Sequence, residues 1–254
     1  MGNSHSSKFR QSNIELLRIL ATLGVIILHY NNPSIGGGIA YTQGASRIML
    51  FAFEALNICA VNLFVLISGY FLSRSQERDL LKPVKLVVPV IIYSVVYYLY
   101  RVLVEGKEFS LRHFIRICIP TNWYVILYVA LFLISPYINV VLDYLKKNHA
   151  LRRFILIVVC TFSVYPMLVD ILQEISGTEL MGLSTIGMYG SQYGFKIVNF
   201  VVLYILGAAL NGYKVEKKTS TLVLLLFIDE VVIFLWAYGE FLIADRIPNG
   251  TAQE

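Results

Sequence analysis

The chain has 254 residues, 57% hydrophobic and only 15% charged, with a mean hydropathy of +0.68 and a pI of about 9.0. Soluble globular domains carry nearer a quarter charged residues, so that class is excluded. The net charge of +5 fits basic loops at a membrane surface better than a nucleic-acid partner, and no nucleic acid is expected.

Repeated apolar runs of about 20 residues predict an all-α fold, a polytopic transmembrane helix bundle, because inside lipid only helices and closed barrels satisfy every backbone group. About seven spans are expected. Residues 1–12 form a polar, basic tail, 13–243 the membrane domain, and 244–254 a second tail. The first apolar run carries Glu15 and Arg18 and lacks a small-residue cleavage site, so no cleaved signal peptide is expected.

The first span, 13–30, reads NIELLRILATLGVIILHY. Glu15, Arg18 and His29 interrupt it, and ionisable groups inside a bilayer usually face a bundle interior or a water-filled cavity. Arg18 and His29 fall only about 20° apart around the helix and about 16 Å apart along it. Glu15 lies within about 40° of His29 on the other side. The plainer alternative makes Arg18 a snorkelling residue paired with Glu15 and leaves His29 at the far interface.

Residues 31–45, with NNPSIGGG, read as a flexible loop, a close approach of glycine to a ligand being the alternative. A second span covers 47–72 and contains Glu54, Asn57, Asn62 and Ser68. A basic loop, 73–85, with Arg74, Arg78, Lys82 and Lys85, precedes a third span over 86–104, with Pro89 in its first turn. A mixed-charge connection, 105–121, leads to a fourth span over 122–142, which opens with the interfacial aromatics Trp123 and Tyr124. After a basic loop at 146–153 come spans over 154–172 and 195–210, then Lys214, Lys217 and Lys218. A seventh span, 221–243, includes Asp229 and Glu230. With the N-terminus in the cytoplasm, about two thirds of the 21 Lys and Arg fall on the inner side, which sets the expected orientation. Cys59, Cys118 and Cys160 have no metal-ligand spacing, so they read as packing residues and no metal is expected. Asn249-Gly250-Thr251 fits a glycosylation sequon by chance.

Several of these stretches resemble the acyltransferase family three membrane proteins. Glu15-Leu16-Leu17-Arg18 followed by His29 is similar to their first-helix signature, an acid and an arginine ahead of a histidine at the helix end. The segment Asn62-Leu63-Phe64-Val65-Leu66-Ile67-Ser68-Gly69-Tyr70-Phe71-Leu72 resembles their second-helix FFxxSGfxl segment. Lys82 and Lys85 ahead of Pro89 stand where the family often has two arginines, a change that keeps charge but loses bidentate phosphate geometry. Asn122-Trp123-Tyr124 with Ser135-Pro136, and the stretch 200–210 with Tyr204 and Gly207, resemble two later helices. Asn62 replaces a frequent acid. The resemblance covers about residues 13–211. It implies about ten spans, more than are read here, so the C-terminal helices are expected to be missing.

The resemblance implies O-acyl transfer, usually of acetyl from acetyl-CoA to a sugar hydroxyl of a capsule, exopolysaccharide or lipopolysaccharide. It implies a multi-pass protein of the bacterial cytoplasmic membrane, with acetyl-CoA, a surface glycan and the bilayer as partners. Such chemistry needs a base, and His29 is the histidine within a predicted span; it either deprotonates the acceptor directly or first carries the acetyl covalently. Glu15 orients Arg18 or forms a structural ion pair with it. Arg18 is placed on the donor path, with Lys82 and Lys85 at the CoA phosphates, although topology alone also explains these lysines. Ser68, Asn62 and Trp123 are candidate pocket residues, with small-residue packing the alternative for Ser68. No G-x-S-x-G elbow is present, so no serine triad is argued. Two other functions remain open from sequence. One is a transporter or flippase of glycan intermediates using Glu54, Asp229 and Glu230; the other is an inactive truncated acyltransferase.

Overall fold

The computed structural model describes residues 12–74, 79–120, 122–178, 196–213 and 217–246. The tail before residue 12, Arg78, Thr121, Lys214 and the Asn249 sequon lie outside the described residues. Helices and their connections account for everything described, and no strand occurs there.

Helix α1 spans Ser12–Asn31, and a short α2 spans Gly38–Tyr41. The expected second span is two helices, α3 (Gly44–Asn57) and α4 (Ala60–Leu72), broken at Ile58 and Cys59. Helix α5 (Leu81–Leu103) begins five residues before its expected start. Leu80 is its N-cap residue, the Asp79 carboxylate just ahead accepts from Leu81 N at 3.0 Å, and Pro83 occupies the first turn. Pro89 is therefore interior rather than first-turn, where its missing N–H leaves the Lys85 carbonyl without its helical donor.

A small α6 (Leu111–Ile117) lies in the expected connection. It is clasped to α5 by Tyr98, whose hydroxyl accepts from Ser110 N at 2.7 Å and donates to Ser110 O at 3.1 Å. The Tyr98 ring also stacks on His113, with centroids 5.1 Å apart. Helix α7 (Trp123–Lys147) is capped by Asn122, whose side chain accepts from Val125 N at 3.1 Å. Lys146 and Lys147 end it, where cations complement the helix dipole. The expected basic loop thereby shrinks to a turn around His149.

Helix α8 (Leu151–Val159) runs through a π-helical turn, Cys160–Val164, into α9 (Tyr165–Ser176). Pro166 explains the wider turn. It has no N–H for the carbonyl four residues back, and Tyr165 N–H bonds instead to Cys160 O, five residues back. Helices α10 (Ile197–Leu210) and α11 (Thr219–Arg246) complete the described residues.

Among the described residues, six helical segments are long and apolar enough to cross a membrane: Ser12–Asn31, Gly44–Leu72, Leu81–Leu103, Trp123–Lys147, Leu151–Gln173 and Thr219–Gly239. The remaining expected span is α10, whose 14 residues reach only about 21 Å, short of a hydrocarbon core of about 30 Å. The protein is an all-α polytopic membrane bundle.

The described chain forms two compact units, Val65–Gly212 and the remainder, with the division inside α4. The core of the first consists of Val65, Leu131, Phe200 and Tyr204. Gly69 and Gly207 bring α4 and α10 together backbone to backbone. A Cβ on Gly69 would lie 2.9 Å from Tyr204 Cα, and one on Gly207 would lie 2.9 Å from Leu66 C and 3.0 Å from Tyr70 N. Small residues allow this approach in membranes, where apolar burial does not by itself drive helices together.

Two amides then satisfy the carbonyls that α4 leaves unpaired at its end. Asn139 Nδ2 donates to Leu72 O at 2.9 Å, and Asn211 Nδ2 to Tyr70 O at 2.8 Å. Asn139 Oδ1 in turn accepts from the Tyr204 hydroxyl at 2.7 Å. In the other unit, α3 packs against both α1 and α11, and Phe51 meets the Tyr238 ring edge-on, with centroids 5.6 Å apart.

Candidate active site

Helix α1 is unbroken, so the angular relation of Glu15, Arg18 and His29 expected from spacing holds in the structure. Arg18 Nη1 donates to Glu15 Oε1 at 2.8 Å, with both side chains partly exposed at 40% and 34%. His29 is exposed. The described part of the unit therefore leaves this stripe open rather than enclosing it in a channel. The reason is that Ala21 and Gly24, on another face of α1, make the buried contacts.

His29 Nδ1 lies 2.7 Å from Val25 O. A carbonyl oxygen only accepts, so in the neutral ring Nδ1 carries the proton and Nε2 holds the lone pair. Among the described residues Nε2 has no hydrogen-bond partner. In that tautomer the acceptor nitrogen is the one turned away from the helix backbone.

The glycine-rich segment after α1 is not a flexible loop. Gly36 N–H donates to His29 O and Asn32 O, both at 3.1 Å, and Gly37 N–H donates to Asn32 O at 2.8 Å. A Cβ on Gly36 would meet the Tyr30 backbone, 2.6 Å from its Cα. The glycines cap the end of α1 directly beside His29.

Asn62 is half-buried on α4, and its side chain makes no hydrogen bond among the described residues. In the other unit, Ser68 and Trp123 join one aromatic cluster. Ser68 Oγ lies 3.5 Å from the Tyr128 hydroxyl, and Tyr128 stacks on Tyr124, centroids 5.9 Å apart. Trp123 meets Tyr124 edge-on at 5.9 Å and Phe200 at 6.2 Å.

Lys82 and Lys85 are both exposed. They lie on the first turns of α5 rather than in a loop, three residues apart on one face. Cations near a helix N-terminus oppose the helix dipole, so local helix stability does not explain them.

Sequence reasoning missed Asn31. It is 1% exposed, and its Nδ2 donates to Leu50 O at 3.0 Å and to Glu54 Oε2 at 2.8 Å. It also missed Arg74, which donates to Asn211 Oδ1 at 2.9 Å and sits over the Tyr70 ring, 5.4 Å from its centroid. The available signal was an amide inside or at the end of an apolar run, which demands a partner. Among the described residues no group of three or more His, Cys, Asp or Glu could hold a metal ion.

Residues 11–228 match the family model described as an acyltransferase domain. No curated protein and no solved structure matches the chain. With most of its length matched, and with membrane-spanning helices carrying the Glu15–Arg18 pair and His29, the chain belongs to acyltransferase family three and is a membrane acyltransferase.

Proposed function

We propose that the protein is an O-acetyltransferase that moves an acetyl group from acetyl-CoA to a sugar hydroxyl of a cell-surface polysaccharide, working in the bacterial cytoplasmic membrane. The observation that carries this reading is the His29 ring, held by Val25 O so that Nε2 is the acceptor nitrogen. Nε2 takes the proton of the acceptor hydroxyl as its oxygen attacks the thioester carbonyl. The new ester C–O bond forms, the C–S bond breaks, and the CoA sulfur leaves with the proton that His29 returns.

Arg18, about 16 Å along the same helix, serves the donor arm, and Glu15 holds its guanidinium. Lys82 and Lys85 present two cations on one helix face for the CoA phosphates. With the N-terminus inside, the stripe runs from the cytoplasmic donor toward an external acceptor. Ser68, Asn62 and Trp123 are pocket residues in this reading.

The test is ester-linked acetate on surface polysaccharide from cells expressing the parent or His29→Ala, with the protein quantified in the membrane. The expected result is loss of acetate with normal protein level. Normal acetate on the His29→Ala polysaccharide removes His29 from the mechanism.

A further inference from the structure

Asn31 closes α1 at a position where an aliphatic side chain would fill the space without needing a partner. Its Nδ2 makes two bonds to α3, while its buried Oδ1 has no donor among the described residues. Burying an amide with one end unmatched is costlier than apolar packing. What the amide adds is direction. A hydrogen bond fixes orientation, whereas apolar contact does not.

His29 precedes Asn31 by two residues, about 200° around the helix, so the tie and the imidazole lie on opposite faces of the same turn. Rotating the end of α1 therefore swings the ring. At about 6 Å from the helix axis, a turn of about 10° moves the ring nitrogen by about 1 Å. A misplacement of that size at a reacting group costs on the order of 100-fold in rate. The Gly36 N–H bond to His29 O, at 3.1 Å, holds the same turn axially but does not tie it to α3.

We propose that Asn31 and Glu54 are positioning residues that set the rotation of the α1 end, and with it the aim of the His29 ring, through the Asn31 Nδ2 bonds to Glu54 and Leu50. This rests on His29 being the base.

The experiment measures transfer from radiolabelled acetyl-CoA to surface polysaccharide in washed membranes, per amount of protein. The variants are His29→Ala, Asn31→Leu, Glu54→Leu and Glu54→Gln. Both Leu variants are expected to lower kcat by about tenfold or more while KM for acetyl-CoA stays within about twofold. Glu54→Gln keeps an oxygen that accepts from Asn31 and stays within about threefold of the parent. A parent-like kcat for Glu54→Leu overturns the proposal, and so does Glu54→Gln falling as far as Glu54→Leu. Should the Leu variants fail to accumulate, Asn31→Ser against Asn31→Ala makes the same comparison, donor retained against donor lost. Full activity of His29→Ala sinks the base reading. An inactive His29→Ala beside a fully active Glu54→Leu sinks the positioning role alone.

Discussion

Replacing Gly207 with alanine tests the packing of α4 on α10. The new Cβ would stand 2.9 Å from Leu66 C and 3.0 Å from Tyr70 N, whereas ordinary contact begins at 3.4 Å. Both neighbours are backbone, so no side chain can swing aside. The helices must part by about 0.5 Å or more, and Gly69 faces the same seam from the other side. Overpacking of this kind costs about 1–3 kcal/mol. The same shift strains the Tyr204–Asn139 bond at 2.7 Å and the Asn139–Leu72 bond at 2.9 Å, each contributing about 1 kcal/mol. The expected loss is about 2–5 kcal/mol, or on the order of 5–15 °C in apparent melting temperature.

The assay is the fraction of detergent-solubilised protein that remains monodisperse after heating. Gly239→Ala is the control, because among the described residues nothing lies within 4 Å of a Cβ built there and alanine favours a helix interior. A Gly207→Ala melting temperature within about 2 °C of Gly239→Ala would refute the backbone contact.

Other consequences are tested more briefly. Arg18→Ala should raise KM for acetyl-CoA severalfold without altering protein level; an unchanged acetyl-CoA titration would count against its donor role. Lys82→Ala with Lys85→Ala should raise the same KM and flatten its dependence on salt, since exposed charges act through screened attraction. A KM that stays equally salt-sensitive would assign the lysines to topology alone. Tyr98→Phe removes a hydroxyl that makes two bonds to Ser110 and should lower stability by about 1–3 kcal/mol, measured by the same heating assay. Gly36→Ala should disturb the α1 cap and reduce acetyl transfer while donor KM holds, whereas parent-like turnover would show that the cap does not bear on His29.

The disposition of α1 was legible because it is local. Helical period alone places Glu15, Arg18 and His29 on one stripe, and the helix proves continuous from Ser12 to Asn31. Helix ends were less legible. Pro89 suggested a start at 86, yet α5 begins at Leu81, with Pro83 in its first turn and Pro89 carried in its interior. NNPSIGGG carried every mark of a mobile loop, and glycine serves tight packing as readily as freedom. The Tyr30 backbone and the carbonyls of His29 and Asn32 distinguish the two.

From composition and period, the amino-acid sequence by itself determined the membrane class, most of the spans and the polar stripe of α1. Each depends on residues within a turn or two of one another, and lipid excludes other backbone arrangements. The tertiary structure alone decided that Asn31 reaches Glu54, that Gly69 and Gly207 share a seam, and that Asn139 and Asn211 close the end of α4. Those pairings join residues 23 to 141 positions apart, where apolar periodicity is silent and only the packed helices bring donor to acceptor.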